Sequence, residues 1–228
     1  MKKLWVIGIV LISTLGVSAQ VEFGVKAGVG FSTLSGPSEM RLAYKVGVES
    51  YIPLTRQDNW TFNPGLFFAA KGMNFKGFYG KEQIVRANLG TYLDYLEMPL
   101  YIAYSLKFDR RMPAGIFFKA GPYIAYGLIG KTQIEVPDFE NFRGTFGTNH
   151  FAGACDYDRL VRYKETETVT MPPLHRFDAG LGVAVDFVVR HLTMGMECTY
   201  GLTPLCADMF LGAHPRNVMC IFNVGYRF

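Results

Sequence analysis

From Val21 to Thr33 every second residue is apolar: Val21, Phe23, Val25, Ala27, Val29 and Phe31 alternate with Glu22, Gly24, Lys26, Gly28, Gly30 and Ser32. Side chains of a strand point to opposite faces with period two, so the segment predicts a strand with one apolar and one polar or small face. The alternation recurs over 42–54, 60–71, 91–108, 115–129, 176–189, 192–202 and 217–228. In 91–108, for example, Leu96, Met98, Leu100, Ile102, Tyr104 and Leu106 oppose Glu97, Tyr101, Ser105 and Lys107. In 176–189, Phe177, Ala179, Leu181, Val183, Val185 and Phe187 oppose Arg176, Asp178, Gly180, Gly182 and Asp186. The segments are long enough to cross a membrane as tilted strands of roughly 9–11 residues, whereas soluble strands average nearer 5–6.

The connections alternate in length. Those at 35–41, 72–90, 130–175 and 203–216 are long, and those at 55–59, 109–114 and 189–191 are short. Outer-membrane barrels combine an even strand number with long external loops and short periplasmic turns. The pattern therefore predicts an all-β fold, an eight-stranded antiparallel up-and-down transmembrane β-barrel with both termini at its periplasmic end. Closure matters because every unpaired backbone N–H or C=O in hydrocarbon costs several kcal/mol. A soluble barrel with its apolar face inward is the competing reading. Against it, Trp60, Tyr92, Tyr104, Tyr126, Tyr200 and Tyr226 fall near strand ends on the apolar face, where an aromatic girdle belongs. On the outward reading, Arg at Val183 is expected to impair assembly more than Arg at Gly182.

Half of the 228 residues are hydrophobic, yet once residues 1–19 are set aside no charge-free run approaches the roughly 18 residues of a spanning helix. Residues 1–19 read as a signal peptide, with a basic Met1-Lys2-Lys3 start, an apolar stretch from Leu4 to Leu15 and a small-residue cleavage site at Val17-Ser18-Ala19. Residues 20–228 then form one barrel domain. The net charge of +4 comes from interspersed signs without a basic run, so nucleic acid is not an expected partner.

The polar faces carry charge into the lumen: Lys26, Lys45, Lys71, Lys107, Lys119, Arg176 and Arg227 against Glu22, Glu49, Glu97, Asp178, Asp186 and Glu197. An eight-stranded barrel is just wide enough for side chains to fill it, and unpaired buried charge is costly. A paired network that blocks flow is the expectation. Lys26, Glu49, Glu97, Lys119, Asp186 and Glu197 fall near mid-height, and Glu22 falls beside Arg227 where first and last strands meet.

Other chemistry is sparse. Residues 125–132 loosely satisfy a phosphate-loop pattern, but alternating residues follow where that motif needs a helix. His150, His175, His191 and His214 contain no i,i+4 pair, so no metal or other cofactor is expected. His175 with Asp178 supplies only a fragment of a catalytic set, and no enzyme is expected. There is no Cys-x-x-Cys pair. Cys155 and Cys206 fall in adjacent external loops and are the candidate disulfide. Cys198 and Cys220 lie on the apolar face, equally far from the loop between their strands; a cross-strand bridge there is strained, and buried free thiols are the reading preferred.

The 130–175 connection far exceeds the about 12–15 residues a compact domain keeps without a use. It mixes aromatics with charges, a composition suited to recognition, and Phe139, Phe142, Arg143, Phe146, Tyr157 and Arg159 are its candidate binding residues. Arg159–Thr170 alternates enough to extend the sixth strand and pair with an extension of the fifth. Replacing Val136–Lys164 by a short Gly/Ser linker is expected to leave the barrel intact.

Phe23–Leu34 (FGVKAGVGFSTL), Tyr95–Tyr104 (YLEMPLYIAY), Phe118–Leu128 (FKAGPYIAYGL), Phe177–Phe187 (FDAGLGVAVDF) and Asn223–Phe228 (NVGYRF) together resemble the outer-membrane β-barrel ("porin family", PorT-like) proteins of Bacteroides-type bacteria, similar in size to OmpA and OmpX barrels. These are motifs of fold, not of catalysis. The resemblance implies the outer membrane of a Gram-negative bacterium, with outer-membrane lipid and the barrel-assembly machinery as partners. Tyr226 and Phe228 look like the terminal signal that machinery reads, with Asn223 where the signal often has glycine. The expected function of this monomeric barrel is a structural or binding role through its extracellular loops, with an extracellular or envelope protein as the candidate partner. A narrow passive channel and a secretion or envelope-assembly accessory are the alternatives.

Overall fold

The computed structural model describes residues 21–36, 38–55, 59–79, 85–108, 114–136, 142–146, 149–153, 155–162, 165–171, 173–206 and 214–228. Its strands are β1 (Glu22–Leu34), β2 (Arg41–Pro53), β3 (Trp60–Tyr79), β4 (Val85–Lys107), β5 (Ala114–Val136), β6 (Phe142–Phe146), β7 (Cys155–Arg162), β8 (Glu165–Met171), β9 (Phe177–Val189), β10 (Leu192–Gly201) and β11 (Asn217–Arg227). Eight of them close into an antiparallel ring, β1-β2-β3-β4-β5-β9-β10-β11, and the ring shuts where β1 meets β11 from Gly24↔Arg227 to Leu34↔Asn217.

The alternation works as a lipid-facing device. Along β9 and β10 buried and exposed residues alternate one by one, with Val183, Val185, Met194 and Met196 outside and Asp186, Thr193 and Glu197 inside. Outward aromatics form two belts. Tyr92, Tyr126, Phe177 and Tyr200 ring the external end; Trp60, Tyr104, Tyr226 and Phe228 ring the periplasmic end, where Trp60 packs 4.9 Å from Tyr104 and Tyr226 lies edge-on to Phe228 at 5.3 Å. Each belt places amphipathic rings where apolar chains give way to headgroups. At the periplasmic end β9 and β10 join through the two-residue turn Arg190-His191, with Arg190 at φ 55°.

Three strands outrun the hydrophobic pattern. β3 has 20 residues and β4 and β5 have 23 each, and their ladder continues past Met73↔Thr91 to Tyr79↔Val85. Beyond residues 71, 91 and 129 the backbone ladder persists although apolar residues no longer recur as regularly at every second position. β6 adds to the outer part of β5, from Thr132↔Phe146 to Val136↔Phe142. The 159–170 stretch does not extend the barrel as expected: β7 and β8 pair with each other, from Cys155↔Met171 to Arg162↔Glu165, as a separate two-stranded sheet. Strand propensity was readable there, but partner choice follows loop closure, which favours the neighbour two residues away over a distant edge.

The cysteines on the apolar face also depart from expectation. Cys198 and Cys220 are register partners on β10 and β11 with Cα atoms 4.2 Å apart, and they form a disulfide rather than two free thiols. Directly opposed residues at a closely spaced pair stand near enough to bridge. Peptide mapping without reductant is expected to recover a linked Cys198–Cys220 peptide that separates on reduction; two alkylated thiols at these positions would contradict the bridge. Cys206 is buried near the external mouth, and the side chain of Cys155 lies outside the described residues.

Candidate functional site: a charged lumen under an apolar cap

Inward positions at matching heights gather the lumen charges into layers. The lower layer joins Lys26 of β1, Glu49 of β2, Lys119 of β5 and Asp186 of β9. Lys26 Nζ lies 2.6 Å from Asp186 Oδ2 and 3.0 Å from Glu49 Oε2; Lys119 Nζ lies 2.8 Å from Asp186 Oδ2 and pairs with Glu49. Acid and base alternate around this four-membered ring. Beneath it, at the periplasmic opening, Arg227 pairs with Glu22 and its guanidinium sits 4.1 Å from the Tyr51 ring.

The upper layer is built on Lys45 and Lys71. Lys45 Nζ reaches Glu97 at 2.7 Å and Glu197 at 2.6 Å, Lys71 Nζ reaches Glu97 at 2.6 Å, and the Tyr101 hydroxyl donates to Glu197 at 2.8 Å. Lys71 also faces the ring of Tyr123 at 4.6 Å. Asp178 stands 3.8 Å from Lys71, and its carboxylate accepts from Tyr123, Asn217 and Thr203 at 3.2, 2.9 and 2.9 Å. Three carboxylates thus share two ammonium groups, and neutral donors hold the third.

Lys26–Glu49, Lys71–Glu97 and Lys119–Asp186 join neighbouring strands, but other pairs cross the barrel. β1 and β9 are separated around the ring by β11 and β10, and β2 and β10 by β1 and β11, so Lys26–Asp186 and Lys45–Glu197 are ties across the lumen. Lysine suits the task because its long stem carries the charge to the axis. Two bases expected inside are elsewhere. Lys107 is exposed at the periplasmic end of β4, and Arg176 sits at the external rim, where its Nε donates to the Phe151 carbonyl at 2.8 Å and Nη1 to the Tyr126 hydroxyl at 3.3 Å.

Above the charges lies a layer the alternation did not reveal. Leu34, Leu93, Tyr95, Tyr123, Ala125, Phe151, Leu174, Leu205 and Cys206 form one buried apolar cluster. Four come from connections, not barrel strands: Phe151, Leu174, Leu205 and Cys206 turn inward over the mouth. Asn149 fastens this cap, since its Oδ1 accepts from Gly130 N and Phe151 N, both at 3.0 Å, while Nδ2 donates to the Leu128 carbonyl at 2.8 Å. Backbone bonds from Leu174 N to His150 O and from His175 N to Leu205 O knit the connections together. His150 is buried in the cap, and burial pushes its imidazole below the ordinary value, towards the neutral form. The available sequence signal was Asn149, an amide that organises turns, two residues before an isolated aromatic.

Val136–Lys164 includes Asn149 and Phe151, so replacing it as a unit would remove two residues of the cap along with the rest of the connection. Of the candidate binding residues, Phe142, Arg143 and Phe146 lie on β6 and Tyr157 and Arg159 on β7, with side chains outside the described residues; Phe139 is itself outside them. They are distributed between the β5 edge and a separate hairpin. Among the described residues, no group of three or more His, Cys, Asp or Glu is placed to hold a metal ion. His175 and His191 instead bond the backbone oxygens of Pro204 and Arg227 through Nδ1 at 3.0 and 2.8 Å.

A comparison with curated protein sequences finds no match. Among solved structures, the chain is similar to Ail, the attachment invasion locus protein of Yersinia pestis, in complex with the heparin analogue sucrose octasulfate, at 6% identity over 93% of this chain and 100% of that one, with TM-score 0.37. It is also similar to Neisserial surface protein A, at 10% identity, 93% and 100% coverage and TM-score 0.37. A major outer membrane protein from Thermus thermophilus gives 13% identity, 92% and 100% coverage and TM-score 0.45. Values this low carry no functional argument, and the architecture rests on the closed ladder itself. Residues 17–207 match the family described as "Outer membrane protein beta-barrel domain", a description of a membrane scaffold and not of a catalyst; the chain therefore belongs to that family, and its place is the outer membrane of a Gram-negative bacterium.

Proposed function

We propose that the protein is a closed outer-membrane anchor whose work is done by the strands and loops beyond the membrane, in a structural or binding role and not in solute conduction. The observation that carries this reading is the doubly obstructed lumen, with two layers of cross-lumen ion pairs beneath an apolar cap. Conduction needs a path whose groups bind weakly enough to release each ion, whereas a compact paired network leaves neither space nor free charge. The prolonged β3–β4–β5–β6 sheet and the β7–β8 hairpin supply the external surface, and Phe139, Phe142, Arg143, Phe146, Tyr157 and Arg159 are its proposed contact residues. A bond between Cys155 and Cys206 would tether β7 to the cap. Residues 1–19 are proposed to be removed on export, leaving a monomeric barrel delivered by the assembly machinery.

Two measurements test this. Purified protein in planar bilayers is expected to show no stable conductance; a steady, large conductance overturns the closed-anchor reading in favour of the narrow channel. Replacing 155–171 alone, with 149–153 retained, is expected to leave heat-modifiable gel mobility unchanged while abolishing capture of any envelope or extracellular protein that binds the intact chain. Retention of every such partner would move the site off the hairpin. The PorT-like resemblance of the strand motifs favours a partner within the secretion or envelope-assembly apparatus of a Bacteroides-type cell, and such a protein would co-purify with the intact barrel.

A further inference from the structure

We propose that the outer wall at the external end of β2 to β5 binds the phosphorylated headgroup of an outer-leaflet lipid through Arg41, Tyr92 and Lys131. Arg41 begins β2 at a position whose parity, shared with Ala43 and Lys45, would aim it into the lumen. It does not stay there. Its Nη1 donates to the Thr91 carbonyl at 3.0 Å and its guanidinium lies 3.2 Å from the centroid of the Tyr92 ring, on the exposed side of β4.

Gly72 makes that crossing feasible. It has φ +147°, and a Cβ built on it would lie 2.0 Å from the Thr91 carbonyl oxygen and 3.1 Å from Arg41 Nη1. The Thr91 carbonyl alone excludes a side chain there, and the arginine lies over the bare backbone that results. Lys131 completes the pair of cations: it is exposed and is the register partner of Tyr92 across the β4–β5 ladder. Tyr92 is thus flanked by a guanidinium on one side and an ammonium on the other.

The remaining charges nearby leave the cluster positive. Asp94, half-buried one outward position below Tyr92, is a carboxylate within electrostatic reach of both Arg41 and Lys131. Glu39 is already paired with Lys76 at 2.9 Å. Two cations against one acid, with an exposed phenol between them, suit a phosphate, and a stacked guanidinium with one donor committed keeps four more for oxygen. Height selects lipid over a free anion. Tyr92 belongs with Tyr126, Phe177 and Tyr200 to the external aromatic belt, which puts Arg41 and Lys131 beside it at headgroup level. Basic side chains at that level recognise anionic headgroups.

The test uses full-length protein refolded in neutral-detergent micelles containing diphosphoryl lipid A or its dephosphorylated form, with retained lipid read by native mass spectrometry. Wild type is expected to retain the phosphorylated lipid selectively. Lys131→Gln is expected to weaken retention about fivefold, and Arg41→Gln with Lys131→Gln about 25-fold, as two surface charges near a membrane would. Lys107→Gln, at the opposite rim, is expected to match wild type. Heat-modifiable mobility checks that each variant is folded, and Lys131→Gln alone suffices if loss of the Arg41 bond to Thr91 disturbs the rim. Equal retention of the two lipids overturns the proposal, as does wild-type behaviour of folded Lys131→Gln. Displacement of lipid by an equal concentration of inorganic phosphate would make this a site for free anions and overturn the lipid assignment.

Discussion

Lys45→Met should be among the most damaging single substitutions in the barrel, costing about 3–5 kcal/mol because it strands buried charge. Lys45 is the bridge of the upper layer. Without it, among the described residues, Glu197 keeps the Tyr101 hydroxyl and Glu97 keeps Lys71. The methionine fills the space but answers neither carboxylate. Urea unfolding of protein refolded in phospholipid, followed by tryptophan fluorescence, measures the loss. Lys45→Met combined with Glu197→Gln should recover part of it, because the second change removes one of the stranded charges, so the pair should be clearly non-additive. Lys107→Met, on an exposed residue, should stay within about 0.5 kcal/mol of wild type. A cost below about 1 kcal/mol for Lys45→Met would mean that water reaches and screens the upper layer, and the closed lumen would fall with it.

That network illustrates what a sequence can disclose about such a barrel. Period-two alternation assigns each charge to the lumen and its strand position assigns a height, because both follow from backbone geometry alone. Which lysine meets which carboxylate is decided across the lumen, between strands such as β1 and β9 that never touch. Nothing local records that. The cap was hidden for a related reason: Phe151, Leu174 and Leu205 lie in connections without period, and their burial depends on three separate segments folding over one mouth. The upper parts of β3, β4 and β5 were missed because the hydrophobic signal weakens there while the hydrogen-bonded ladder, which needs no apolar face, continues. Arg41 breaks the parity rule outright, reaching the ring of the outward Tyr92 past the bare Gly72 of the next strand.

The clearest test of which face meets lipid compares two depths on one face, with neighbours on opposite faces set aside. Val183 lies at the middle of β9, exposed on the outer wall; Leu192 begins β10 at the periplasmic end of the same wall. Arginine should cost about 2–4 kcal/mol at Val183 and about 0–1 kcal/mol at Leu192, because the penalty for charge falls from midplane to interface. Gly182 is unsuitable as the inward control that its parity first offers. A Cβ there would come within 2.1 Å of the Tyr101 hydroxyl, the donor to Glu197, so Gly182→Arg disrupts the upper layer for a reason unrelated to lipid. Both variants at lipid-facing positions keep the lumen untouched, so any difference between them reports depth in the bilayer. Refolding into phospholipid vesicles, scored by heat-modifiable mobility and then by urea midpoint, should give a poorly assembling Val183→Arg and a near-normal Leu192→Arg. Equal penalties at the two sites would show that this wall does not span the hydrocarbon, and the apolar face would have to be explained by another surrounding.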